Sequence, residues 1–93
     1  EAMLLYTQGF SHQKFFPAEA AGGVPMLKSI AGPLPQITFC PTGGIDLAKA
    51  PSYLALPNVH CVGGTWMAPK ELMKAGRWDE IERLAREAAS LPR

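Results

Sequence analysis

The chain has 93 residues, 47% of them apolar and 18% charged, and nine Lys and Arg against eight Asp and Glu leave a net charge of +1. That balance excludes a disordered chain, an acidic tail and a nucleic-acid binder that works through a basic stripe. So short a chain holds one small core and not two, so it is one domain or a piece of one.

Nine Gly and nine Pro demand short elements and many turns. Residues 1–8 carry good helix formers and stop at Gly9, a suitable residue just past a helix end. The chain opens on Glu1 rather than Met, and Ala2-Met3-Leu4-Leu5-Tyr6 is already apolar and helix-like, which reads as entry into an element partway through. A strand is expected over Phe10 to Phe16, ended by Pro17, which has no N–H for a ladder. After Gly22-Gly23, apolar positions at 24, 27, 30 and 31 predict a helix closed by Gly32-Pro33, with Pro25 tolerated in its first turn. Ile37-Thr38-Phe39-Cys40 predicts a short strand and Thr42-Gly43-Gly44 a turn. A helix is expected over Ile45 to Leu56, started by Asp46 and disturbed by Pro51. Val59-His60-Cys61-Val62 predicts a third strand, followed by Gly63-Gly64. Pro69 opens a short helix that Gly76 ends. In the last helix Trp78, Ile81, Leu84, Ala85 and Ala88 form the apolar face, with Asp79–Arg83 and Glu82–Arg86 as i,i+4 ion pairs on the other side.

Helices alternating with strands that are apolar on both sides argue for a parallel sheet with helices packed outside. Lys14 to Thr42 and Thr42 to Thr65 each span one βα unit. Three strands do not close a barrel. Cys40 and Cys61 lie in apolar runs, outside any C-x-x-C pair and away from His at ligand spacing. Both are expected to be buried free thiols of a cytoplasmic protein. No apolar run approaches the roughly 20 residues of a membrane span, and no basic segment followed by an apolar core opens the chain. A soluble, unexported protein is expected.

Chemistry concentrates where the strands end, the side on which open α/β sheets and β/α barrels place their sites. Gly43-Gly44 and Gly63-Gly64 follow consecutive strands. Without a Cβ their N–H groups can approach an anion, and a following helix N-terminus would add a positive dipole; glycine pairs also serve as plain turns. Lys14, beside Phe15 and Phe16 on an interior strand, would be desolvated and its pKa lowered, leaving an amine able to attack a ketone. The alternative is a lysine that snorkels to solvent from a strand end.

The runs Lys14-Phe15-Phe16-Pro17-Ala18-Glu19 with Gly22-Gly23, Phe39-Cys40-Pro41-Thr42-Gly43-Gly44-Ile45, and Cys61-Val62-Gly63-Gly64 before Trp66 carry a resemblance that covers essentially the whole chain. In this order they resemble the C-terminal part of the 2-keto-3-deoxy-6-phosphogluconate and 4-hydroxy-2-oxoglutarate aldolase family. The resemblance implies an α/β chain, residues 1–93 being three βα units, strands six to eight, of one class I aldolase (β/α)8 barrel. It implies that Lys14 forms the Schiff base and that Phe16, two residues on and on the same side of the strand, packs against the pyruvyl group. Thr42 would meet the substrate's polar groups, and Gly43, Gly44, Gly63, Gly64 and Thr65 would hold phosphate; Thr65 stands where a serine is common.

The implied reaction cleaves a 2-keto acid phosphate to pyruvate and glyceraldehyde 3-phosphate with no cofactor beyond the covalent imine, no metal, no nucleic acid and no membrane, in a cytoplasmic homotrimer. The general base, a glutamate on an early strand, aligns with no part of this chain. Glu19 is close to Lys14 in sequence, but the family gives it no such role. His12 and His60 are expected to be structural and Trp66 and Trp78 to pack. The alternatives are cleavage of 4-hydroxy-2-oxoglutarate, which lacks phosphate, and a non-catalytic barrel piece that binds phosphate or packs.

Overall fold

A computed structural model describes residues 1–92. The order is α1 (Ala2–Thr7), β1 (His12–Phe15), α2 (Gly23–Ala31), β2 (Thr38–Pro41), α3 (Ala50–Leu54), α4 (Lys70–Lys74) and α5 (Trp78–Ala89). β1 and β2 pair in parallel, with Lys14 opposite Cys40 and Phe15 opposite Pro41, and α2 makes the crossover between them. Each predicted helix is present. α3, however, is short: Asp46 caps with its carboxylate on the Lys49 N–H at 2.9 Å, but residues 47–49 form a turn and α-helix begins only at Ala50, with Pro51 in its first turn.

The third predicted strand is not a continuous strand. Residues 59–63 lie parallel beside β2 and make two single bridges, Phe39 with Val59 and Thr42 with Gly63. The ladder starts normally, the Phe39 N–H donating to Asn58 O at 2.8 Å and the His60 N–H to Phe39 O at 3.0 Å. The next donor on that edge belongs to Pro41, which has none. Pro41 O is then reached from Gly63 at 2.9 Å, one residue later than regular pairing would use.

The core gathers Ala18, Leu27, Ile37, Phe39, Ile45, Ala50, Tyr53, Leu56 and Val59 between the sheet and the inner faces of α2 and α3. Two buried amides fasten its edges. Gln13 Nε2 donates to Ala2 O at 3.1 Å and Phe10 O at 2.9 Å, holding α1 to β1, and Asn58 Nδ2 donates to Leu27 O at 3.0 Å, holding the third segment to α2. α4 packs against α5. On α5, Ile81, Leu84 and Ala88 are half-buried, whereas Trp78, expected to pack, is 62% exposed. Glu82–Arg86 pairs as expected at 2.9 Å. Asp79–Arg83 does not, because Asp79 meets Arg77 at 3.4 Å and the Arg83 guanidinium bonds Glu80 through both Nε and Nη2. No described helix is long and apolar enough to cross a membrane.

Candidate active site

Parallel pairing sends β1 and β2 out of the sheet at the same end, and the backbone holds their exits together. The Thr42 N–H donates to Phe15 O at 2.9 Å, Ala18 N–H to Thr42 O at 2.8 Å and Glu19 N–H to Gly43 O at 3.2 Å. The third segment joins through the Thr42–Gly63 bridge. Around this junction a cavity of about 180 Å³ is lined by Phe16, Thr42, Gly43, Gly44, Ile45, Gly64 and Thr65. Six of the eight residues singled out in the sequence thus share one wall. Gly63 stands behind Thr42, so close that a Cβ there would come within 2.7 Å of the Thr42 hydroxyl.

Lys14 lies beside this cavity rather than in its wall. Its Nζ sits over the Phe16 ring, 5.1 Å from the centroid, and Phe16 reaches the cavity. The desolvation expected for Lys14 is not found: its side chain is exposed and Phe16 is 64% exposed. The reason is geometric. Lys14, Phe16 and His12 share the sheet face opposite the core, since alternate residues of a strand face opposite ways, and the described elements leave that face open.

The glycine pairs are fixed by more than turn preference. Gly43 and Gly44 have φ of +109° and +74°, conformations open to glycine and costly for other residues. A Cβ on Gly43 would meet Pro17 Cα at 3.0 Å, one on Gly44 the Glu19 Cγ at 2.9 Å, and one on Gly64 would run into the Trp66 ring. Backbone therefore lies where side chains would otherwise cover it. The helix dipole expected beside each pair is displaced: α3 starts at Ala50 and α4 at Lys70, both well past their glycines.

Beneath Gly44 lies a constellation that reading the sequence missed. The buried Tyr53 donates its hydroxyl to Glu19 Oε2, Lys49 Nζ lies 3.4 Å from Glu19 Oε1, and the same Nζ donates to Gly44 O at 3.5 Å. The Tyr53 bond, with help from Lys49, holds the Glu19 carboxyl below the usual glutamate value, while burial and the carboxylate beside it push the Tyr53 phenol up to about 12. A carboxylate so engaged is a poor proton acceptor, in keeping with a role other than base. The available signal was Tyr53 itself: on the inner side of a short helix its hydroxyl needs a partner, and an acidic residue in a neighbouring strand-exit loop, here the one after β1, is a natural one.

His12 opens β1, away from the cavity, with Nδ1 2.5 Å from Thr38 Oγ1 and its ring 5.7 Å from His60. The thiols depart from expectation: Cys40 is half-buried and Cys61 exposed, because both flank the open face of the sheet, and no disulfide joins them. Trp66 packs against the core as expected.

The KDPG and KHG aldolase family model matches residues 1–84. The chain is 54% identical over 88 residues to a 2-dehydro-3-deoxy-phosphogluconate aldolase of Pseudomonas aeruginosa, covering 95% of this chain and 40% of that protein. Among solved structures it is similar to a KDPG aldolase from Legionella pneumophila with pyruvate captured at low pH as a covalent carbinolamine intermediate, at TM-score 0.91 and 50% identity, over 94% of this chain and 42% of that one. It is also similar to the 2-keto-3-deoxy-6-phosphogluconate aldolase of Zymomonas mobilis with 3-phosphoglycerate, at TM-score 0.87 and 46% identity, over 98% and 42% of the two chains. The chain spans about two fifths of the length of these relatives.

Proposed function

The chain belongs to the KDPG and KHG aldolase family, and we propose that it forms strands six to eight, with their helices, of a single class I aldolase (β/α)8 barrel that cleaves 2-keto-3-deoxy-6-phosphogluconate. One observation carries this reading. Phe16, Thr42, Gly43, Gly44, Gly64 and Thr65 converge on one cavity at the exits of parallel strands, with Lys14 against its edge through Phe16. The covalent pyruvate of the Legionella pneumophila relative and the 3-phosphoglycerate of the Zymomonas mobilis relative are the two halves of the chemistry these residues suit.

In the proposed reaction the Lys14 amine adds to the C2 carbonyl to give a carbinolamine, which loses water to give the iminium. A base removes the proton of the C4 hydroxyl, the C3–C4 bond breaks, and its electron pair moves into the iminium as an enamine. Glyceraldehyde 3-phosphate leaves, a proton returns to C3, and hydrolysis of the imine frees pyruvate and the lysine. Thr42 bonds the substrate's polar groups, Phe16 packs on the pyruvyl methyl, and the Gly43-Gly44 and Gly63-Gly64-Thr65 backbones hold the phosphate. The base comes from the strands outside these residues, which also cover the open face of β1 and so desolvate Lys14; the chain alone is expected to be inactive. No cofactor enters the scheme. As part of the same reading the intact barrel is a cytoplasmic homotrimer, an expectation that rests on family membership alone.

The test is borohydride reduction of the full-length barrel in the presence of pyruvate, followed by peptide mass mapping. A carboxyethyl group on Lys14, absent from Lys14→Ala, is expected; an unmodified Lys14 overturns the reading. Turnover on 4-hydroxy-2-oxoglutarate should trail that on the phosphorylated substrate, since only the latter uses the glycine loops.

A further inference from the structure

Resting on the reading of Gly43 and Gly44 as phosphate-binding backbone, we propose that Glu19, with Tyr53 and Lys49, is a positioning clamp that sets this loop for its anion from behind. Three contacts point to it. Glu19 bonds the loop through its main chain, N–H to Gly43 O at 3.2 Å. Its side chain fills the place a Gly44 Cβ would take, with Cβ at 3.0 Å and Cγ at 2.9 Å. Its carboxylate is then fastened on two sides, by the Tyr53 hydroxyl from α3 and by Lys49, which also reaches Gly44 O. One side chain therefore ties the loop after β1, the loop after β2 and α3 into a single unit.

A carboxylate this close to a phosphate loop would repel the ligand if its charge were free. Here the two oxygens are engaged by Tyr53 and Lys49, so the charge is balanced by its partners while the methylenes support the backbone. Glu19 touches neither the reacting carbons nor Lys14 in this scheme; it acts through Gly43 and Gly44. The expected signature is a loss of phosphate affinity without a matching loss of chemistry.

The experiment uses the full-length barrel and inorganic phosphate as the probe, following the Gly43 and Gly44 amide resonances on titration. Glu19→Ala should weaken phosphate binding about tenfold, the scale of one lost charge-assisted bond, and raise KM for the phosphorylated substrate similarly, with kcat within about twofold. Glu19→Gln, whose amide oxygen still accepts from Tyr53, should restore most of the affinity. Tyr53→Phe keeps the buried ring, so it folds even where the alanine variant does not, and should weaken binding by about threefold. Unchanged phosphate affinity in both Glu19→Ala and Tyr53→Phe, kcat falling as steeply as affinity, or wild-type amides that ignore phosphate would each overturn the clamp. The titration needs no turnover. A barrel that fails to trap pyruvate on Lys14 yet loses phosphate with Glu19→Ala refutes the aldolase reading and upholds the clamp.

Discussion

A buried phenol needs a partner for its hydroxyl, and Tyr53, 1% exposed, has Glu19. The pair leaves a titration that can be followed directly. With the Tyr53 pKa raised to about 12 by burial and by its hydrogen bond to the carboxylate, the neutral hydroxyl is favoured in the folded state. Its stabilisation is full below pH 10, the ordinary tyrosine value, and fades as pH rises from 10 through 12. Glu19 has the opposite sign: its pKa is lowered, so its contribution is present above about 4.5 and lost as pH falls below that. In the full-length barrel the gap in thermal midpoint between wild type and Tyr53→Phe should therefore be wide between these limits and close toward pH 12, with the wild type alone showing a late phenolate absorbance step. A gap that persists at pH 12 would mean that the hydroxyl contributes through something other than its proton. Lys14 shows how far single residues were legible. Its place beside Phe16 was readable from strand alternation, but the desolvation inferred from Phe15 and Phe16 was not, because Phe15 faces the other side of the strand and Phe16, on the same side as Lys14, is itself 64% exposed.

Elements were legible where local chemistry decides them and less so where a neighbouring strand does. α2 and α5 follow their apolar periodicity, and Gly9, at φ +95°, ends α1 as glycine should. The strand predicted over residues 59–62 is apolar enough, yet strand pairing depends on what faces it, and Pro41 presents no donor on that edge. No periodicity within 59–62 records this. The third segment is instead held by Asn58, 6% exposed, whose Nδ2 reaches Leu27 O on α2. Asn58→Ala should cost about 1–2 kcal/mol in chemical denaturation of the full-length barrel, the range for a buried carbonyl losing its donor. Among the described residues Asn58 Oδ1 is buried without a partner, which favours the lower end. Phosphate affinity should hold, since Asn58 lies at the opposite end of the strands from the glycine loops. A loss of affinity together with stability would show that the third segment moves as one rigid piece.

For the whole molecule, surface and shape carry the argument. A folded monomer of 10 kDa exposes about 5,200 Å², whereas this chain exposes 6024 Å². Its radius of gyration is 14.8 Å and its extents 45 × 24 × 22 Å, against about 12 Å for a compact domain of this length. The excess is apolar in part: Met3 and Leu4 on α1, Phe10, Phe16 and Trp78 are each more than half exposed. β1 pairs only with β2 among the described residues, so its other edge offers unpaired backbone groups to any strand that approaches. In the proposed barrel that edge is where strand five pairs, and the face bearing His12, Lys14 and Phe16 looks inward. Expressed by itself, the chain should therefore associate with further copies in a concentration-dependent way, seen in sedimentation velocity, and should show no sharp thermal transition. Coexpression with the remaining three fifths of the barrel should suppress that association and recover pyruvate trapping on Lys14, because that part supplies both the strand that covers the edge and, from an earlier strand, the base. A chain that sediments as a monomer and unfolds cooperatively on its own would show that α1 and the sheet edge are satisfied without the rest of the barrel.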